Sequence, residues 1–239
     1  MAVCPMGIDT KIYYHKPLPD THKIIFGAGG RLAHGGVRKG VIKVAETFLR
    51  AFPGVEDVEL QLKVHHDCSV PEHPALLDPR VKLVKETYSE RAMADWYHQL
   101  HSYVTMATGE GFGFMPLQAM ACGRIVIANI AHGHAAYMKP HCVLETGYSL
   151  ERAPDGLFAY KGYWYEPNEA DVIKQMQFVY NQCRAVGVSP TLRRISDQAA
   201  YQASKFSWEV YEQRLTQLLQ PYVLGGIDCT AMGQANVLR

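Results

Sequence analysis

The sequence contains no C-x-x-C pair. Its cysteines, Cys4, Cys68, Cys122, Cys142, Cys183 and Cys229, stand far apart, which excludes a zinc ribbon and a thioredoxin-type motif. No run reaches the roughly 18 apolar residues of a membrane span, and the opening "MAVCPMGIDTK" has no apolar stretch of signal-peptide length. Excess charge is also missing: the formal net charge is +1, so nothing argues globally for nucleic acid or for an acidic partner. Internal repeats and low-complexity segments do not occur. A P-loop is excluded because no G-x-x-x-x-G-K-[ST] is found, and the dinucleotide fingerprint G-x-G-x-x-G fails because "GAGGRL" lacks its last glycine. The expectation left by these absences is a soluble cytoplasmic protein with reduced thiols.

What is present is an alternation. With 239 residues, 48% of them apolar, the chain can bury a full core. Short apolar or alternating runs predict strands near 23–28, 58–64, 81–84, 102–106, 124–128 and 142–145. Between them, "RKGVIKVAETFLRAF" (38–52), "SERAMADWYHQL" (89–100) and "FMPLQAMAC" (114–122) have helical spacing, and Ser89 supplies an N-cap. Three further helices are read in "NEADVIKQMQFVYNQCRAV", "SPTLRRISDQAAYQAS" and "SWEVYEQRLTQLLQPYV". Strand and helix taking turns predicts an α/β fold: a single Rossmann-like, doubly wound parallel sheet with helices on both faces. The prolines and lack of periodicity over 1–22 suggest a linker-like segment, 23–223 the domain, and 224–239 a loose C-terminal tail.

In such a sheet, ligands bind outside the carboxyl ends of the strands. Two glycine-rich corners fall there: "GAGGRLAHGGVRKG" (27–40) and "GEGFG" (109–113). Each precedes a helix, whose first N–H groups and partial positive charge suit phosphate. Arg31 and Lys39 add two cations matched to a diphosphate.

Several segments, in order, resemble the donor-binding C-terminal half of retaining GT-B glycosyltransferases, glycosyltransferase family 4-like. "CPMGID" (4–9) is similar to P-x-G-I-D, which joins the two halves in that family. "GRLAHGGVRKGV" (30–41) looks like its G-R…K-G segment. "ATGEGFGFMPLQAMACGRIVIA" (107–128) resembles S-x-x-E-G-F-G-x-x-x-x-E-A-M-A-C-G-x-P-V-I-A. "GYWYEPNEADV" (162–172) and "KFSWEVYEQRL" (205–215) fit the segments that follow, so the likeness runs along nearly the whole chain.

The resemblance implies a nucleoside-diphosphate sugar as donor and transfer with retention of configuration. Glu110 would hold a hydroxyl of the transferred sugar, and Arg31 and Lys39 would stabilise the leaving diphosphate. Gly30, Gly109, Gly111, Phe112, Gly113 and Phe114 would face the donor through their backbone. Gly133 and His134, in "AHGHAAYM" (131–138), would line the site, although a plain strand–helix turn reads equally well. Position 118 would reach the ribose. The chain departs from the pattern there, with Gln118 for Glu, and also at Ala107, Arg124 and Ile125. An amide loses charge-assisted strength, so weaker or altered nucleotide binding is expected.

No metal or other cofactor is expected, since no D-x-D lies near a strand end and two cations with a helix N-terminus stand where a metal would. His65, His66, His132, His134 and His141 show no ligand spacing of known type and are read as surface or loop residues. Trp96, Trp164 and Trp208 are read as packing, and Met106, Met115 and Met120 as core fillers. Family enzymes carry the acceptor site on a preceding domain, and this chain starts almost at the join. Three readings compete: a fragment, a short protein completed by a separate acceptor-domain protein or a homo-oligomer, and a degenerate, non-catalytic sugar-nucleotide or interaction module. A nucleotide-sugar epimerase of the same architecture is the other enzyme class weighed, and the E-G-F-G segment argues against it.

Overall fold

The computed structural model describes residues 3–32, 37–154, 162–184 and 187–224. Six parallel strands form the central sheet: β1 (Ile24–Gly30), β2 (Val58–Val64), β3 (Val81–Val84), β4 (Ser102–Val104), β5 (Ile125–Ala128) and β6 (Leu144–Glu145). Their order is β3-β2-β1-β4-β5-β6, so the winding reverses between β1 and β4. All six expected strands are present, β4 and β6 shorter than expected. The helices are α1 (Val41–Ala51), α2 (Glu90–Gln99), α3 (Phe114–Ala121), α4 (Glu169–Arg184), α5 (Pro190–Ser204) and α6 (Trp208–Leu224). Ser89 and Ser189 cap α2 and α5, accepting from Ala92 N and Leu192 N at 3.2 Å.

Two hydrophobic clusters occupy the two faces of the sheet. Period-two alternation divides the strand residues between them. Ile24, Phe26 and Ala28 of β1 pack with Val44, Phe48 and Phe52, and with Val172, Met176 and Val179 of α4. Tyr103, Val126 and Ala128 face the other way, among Tyr97, Leu117, Met120, Ala199 and Ala203. Phe26, Phe48 and Phe52 form a ring triangle with centroids 5.4–6.1 Å apart. Each such buried ring contributes about 1.5–3 kcal/mol through burial.

Two features depart from the alternation. An antiparallel hairpin, β7 (Tyr148–Arg152) and β8 (Tyr163–Pro167), follows β6. The N-terminal segment is docked: Ile8 N donates to the Phe206 carbonyl at 2.8 Å, Trp208 N to the Ile8 carbonyl at 3.2 Å, and Tyr13 and Leu18 are buried. Arg124, fully buried, holds that segment from the inside. Its guanidinium donates to the carbonyls of Cys122 (3.0 Å), Leu100 (2.8 Å), His98 (3.3 Å) and Pro17 (3.1 Å), and also to that of Lys16. Burial without a carboxylate partner lowers its pKa to about 10. The tail read over 224–239 lies, from residue 225 on, outside the described residues.

Candidate functional site

Because β1 and β4 are neighbours, the chain leaves both strands at the same end and side by side. The two glycine corners therefore meet. Thr108 N donates to the Arg38 carbonyl at 3.0 Å, and Arg38 Nη1 donates to the Gly109 carbonyl at 2.8 Å. Lys39 Nζ pairs with Glu110 Oε1, and Arg38 Nη1 stands 4.0 Å from Glu110 Oε2. Lys39 and Glu110, singled out in the sequence as cation and acid, are thus direct partners across 71 positions of chain.

Gly113 starts α3 in the left-handed region at φ 87°. A Cβ there would come within 2.7 Å of the His134 ring and 2.9 Å of the Tyr137 hydroxyl oxygen, which donates to the Gly113 carbonyl at 2.6 Å. Phe112 packs on Phe114 (5.2 Å) and on Tyr137 (5.3 Å), fixing the corner from the side. Gly133 docks its backbone on the same loop, donating to the Glu110 carbonyl at 3.0 Å. His132 lies at φ 42°, unusual for a residue with a Cβ, and its ring lies tilted against that of His134, with centroids 4.3 Å apart. His134 is fully buried, and neither ring nitrogen meets a hydrogen-bond partner among the described residues. Burial, then the nearby His132, push its pKa down to about 3, so the imidazole is neutral.

Two cavities flank Lys39 and Met115. The smaller, about 420 Å³, is lined by Glu110, Phe112, Gly113, Phe114, Tyr103 and Lys39. The larger, about 520 Å³, is lined by Gly30, Arg31, Arg38, Lys39, Lys63 and the 65–66 histidines, among others. Cations outnumber acids on its walls. Lys63, mostly buried, donates to the Glu86 carbonyl at 2.6 Å and lies 4.7 Å over the Tyr88 ring. Burial lowers its pKa.

The structure therefore gathers Lys39, Glu110, Gly111, Phe112, Gly113 and Phe114 around one cleft, while Gly109, Gly133 and His134 support it from behind, outside the lining of either cavity. Gly30 packs against the Lys39 side chain. Arg31 is exposed and lines only the larger cavity. Gln118 sits one turn deeper on α3, outside the lining of either cavity, with Oε1 accepting from the Tyr97 hydroxyl at 3.2 Å. Met115, read as a core filler, instead forms the ridge between the cavities. Its side chain leaves the core because it packs over Gly29, where a Cβ would come within 2.3 Å of the Met115 Cε.

Sequence reasoning passed over three contributors. Arg38, beside Lys39 in "VRKG", carries no sequence signal of its own and bonds the Gly109 carbonyl. Lys43 pairs with Glu166 of the hairpin. Tyr165 donates its N–H to the Thr108 carbonyl at 2.9 Å and sets its ring 5.7 Å from that of His132. The only sequence signal for Tyr165 was the alternating aromatic run "YWY".

A six-stranded, doubly wound parallel sheet with two helix-starting glycine corners at its point of reversal is a Rossmann-like domain of the GT-B type. The sequence family described as Glycosyl transferases group 1 matches residues 25–159, more than half of the chain, and the chain belongs to that family. No curated protein matches it in sequence. Among solved structures it is similar to sucrose-phosphate synthase from Thermosynechococcus elongatus, with TM-score 0.68 and 18% identity, covering 93% of this chain and 53% of that one. Alr3699/HepE of Anabaena, solved in complex with UDP-glucose, gives TM-score 0.62 and 18% identity over 90% of this chain and 56% of that one. The C-terminal domain of the group 1 glycosyl transferase LpcC from Francisella tularensis gives TM-score 0.57 and 15% identity, covering 83% of this chain and 97% of that domain. The chain thus spans about half the length of the two longer proteins and corresponds to a C-terminal GT-B half.

Proposed function

We propose that the cleft binds a nucleoside-diphosphate sugar and serves glycosyl transfer with retention of configuration. The observation that carries this reading is the contact between the corners. It places Lys39, Arg38 and the start of α3 around Glu110 in one cleft. The diphosphate lies at Lys39, with Arg31 at the rim and the N–H groups of Gly113 and Phe114 beneath it. The sugar occupies the smaller cavity, where Glu110 accepts from its hydroxyls. The nucleoside occupies the larger cavity, and Arg31 and Lys39 offset charge developing on the leaving diphosphate; Gln118 reaches the ribose only by turning from Tyr97 toward the cleft. A leaving-group oxygen takes the proton of the acceptor hydroxyl on the same face. No divalent ion is needed at the diphosphate, because cations and a helix N-terminus already face it.

Family membership and the UDP-glucose bound in Alr3699/HepE support the donor class. The acceptor comes from a preceding domain, a separate acceptor-domain protein or a second copy. The described cysteines, Cys4, Cys68, Cys122, Cys142 and Cys183, are all free thiols, which supports a cytoplasmic setting. Among the described residues, no helix is long and apolar enough to cross a membrane.

The test is a thermal shift with UDP, GDP and ADP. At ligand levels well above Kd, the matching nucleotide stabilises the fold by about 1–3 kcal/mol. The Arg31→Ala, Lys39→Ala double variant loses that protection. If no nucleotide shifts the wild type, the donor-site reading fails and a non-catalytic module replaces it.

A further inference from the structure

At the rim of the larger cavity, the end of β2 gathers a set of ligand atoms to which the glycosyl-transfer reading gives no role. Neighbouring residues on a strand point to opposite faces, yet the His65 and His66 rings lie 4.5 Å apart at an interplanar angle of 33°. The cause is local. β2 ends at Val64, and the next residues close a turn in which Cys68 N donates to the His65 carbonyl at 3.1 Å. That turn swings both imidazoles to one side and brings Asp67 back against His65, whose Nδ1 contacts Asp67 Oδ1. One ligand atom each from His65, His66 and Asp67 all lie within 4.8 Å of one another.

Further features distinguish this trio from a chance surface cluster. His66 is steadied from a second element: its Nδ1 lies 2.9 Å from Thr87 Oγ1, just beyond β3. That hydrogen bond engages one ring nitrogen, orients the ring and leaves the other nitrogen for a ligand role, an arrangement common in coordinating histidines. The residues are half-buried or exposed, so an ion reaches them from water. Both histidines also line the larger cavity, beside Arg31 and Thr87.

We propose that His65, His66 and Asp67 form a binding site for a borderline divalent transition-metal ion, of the zinc, cobalt or nickel class, at the rim of the larger cavity. Two imidazoles and one carboxylate suit such ions and not magnesium, which selects all-oxygen sets. Tetrahedral bonds of about 2.0–2.2 Å set ligand atoms roughly 3.4 Å apart. The present spacing closes to that by small rotations of side chains that solvent leaves free to move. Three protein ligands leave a fourth position open toward the cavity, for water or for an oxygen of an anion held there. This ion is separate from the diphosphate contacts of Lys39, and its binding does not depend on any nucleotide.

The test is a titration of the full chain, without nucleotide, first with Zn²⁺ by calorimetry and then with Co²⁺ by visible absorption. One equivalent binds, the cobalt bands are those of a low-coordinate nitrogen–oxygen site, and excess Mg²⁺ does not displace the ion. His65→Ala and His66→Ala each weaken binding roughly ten-fold or more, while His141→Ala, at an exposed histidine remote in sequence, leaves it unchanged. Unaltered melting temperatures of the apo variants show that the loss is not misfolding. Absence of a saturable equivalent, or equal affinity in wild type and His65→Ala, overturns the assignment. A chain that binds zinc but no nucleotide upholds this site while removing the donor reading.

Discussion

Gly133 N–H and the Glu110 carbonyl are joined by a 3.0 Å hydrogen bond that ties the loop after β5 to the acidic corner after β4. The contact leaves no room at Gly133: a Cβ would stand 2.6 Å from the Gly111 carbonyl carbon and 2.7 Å from the Glu110 carbonyl oxygen. Both obstacles are backbone, so neither can rotate aside. Gly133→Ala should therefore separate the loops and cost about 1–3 kcal/mol of stability. Because the displaced group is the Glu110 peptide, nucleotide-sugar affinity should fall more than affinity for the free nucleotide. Urea unfolding and calorimetry with both ligands check this. An alanine variant as stable as wild type would show that the loops do not bear on each other.

Gln118 offers one acceptor oxygen, already engaged by the Tyr97 hydroxyl at 3.2 Å. A carboxylate at this position would keep Tyr97 on one oxygen and present the second to a ribose hydroxyl. Gln118→Glu should tighten nucleoside diphosphate binding by about 1 kcal/mol, the increment of a hydrogen bond to a charged over a neutral acceptor. Isothermal titration of both forms with UDP and GDP measures it. Equal or weaker binding by the Glu form would remove residue 118 from the ribose.

His101 governs an acid-sensitive contact. Its Nδ1 accepts from Ile25 N at 3.1 Å, and burial, with nearby Arg124, lowers its pKa to about 4. His134, at about 3, behaves alike. Between those values and the unfolded value near 6.5, the unfolded chain binds more protons than the folded one, so stability rises with pH. Stability should be full above about pH 6.5 and fall progressively toward pH 4, by a few kcal/mol. Urea midpoints at pH 7.5, 6, 5 and 4.5 test the slope. His101→Asn should flatten it, and a flat wild-type profile over this range would contradict buried neutral histidines.

Arg124 donates to carbonyls from the N-terminal segment, the end of α2 and the end of α3. Arg124→Ala strands these acceptors in a dry interior and opens a cavity, at a cost of roughly 3 kcal/mol or more. Lys cannot replace it, because a single ammonium does not span three chain segments. Both variants should expose residues near Lys16 to limited proteolysis before global unfolding. Intact wild-type-like resistance would mean the segment is held elsewhere.

The strands were legible because parallel strands buried on both faces read as near-continuous apolar runs, as in "RIVIANI". Helix starts were legible where a serine caps them, as at Ser89 and Ser189. The hairpin of β7 and β8 was not: Tyr148, Leu150 and Tyr163 are exposed, so no core imposes its alternation on the sequence. At the site, Glu110 and Lys39 stood out through glycine corners. Arg38 did not, since its role depends on meeting Gly109 from another loop. Arg124 looked like a departure from the family pattern, and only packing reveals it as a clamp.

The reversal between β1 and β4 has a mechanical consequence. Seven register pairs join β1 to β2, but only Phe26 with Ser102 and Gly27 with Tyr103 join β1 to β4. The cleft straddles this short seam, with Lys39 on one bank and Glu110 on the other. Apart from the equally short β5–β6 pairing at the sheet edge, the seam is thus the line along which the sheet can breathe with least loss of ladder. A ligand that grips both banks acts as a rivet. Amide exchange at Phe26, Gly27, Tyr103 and Val104 is where its occupancy should be felt most strongly, well before any change registers at β2 or β5.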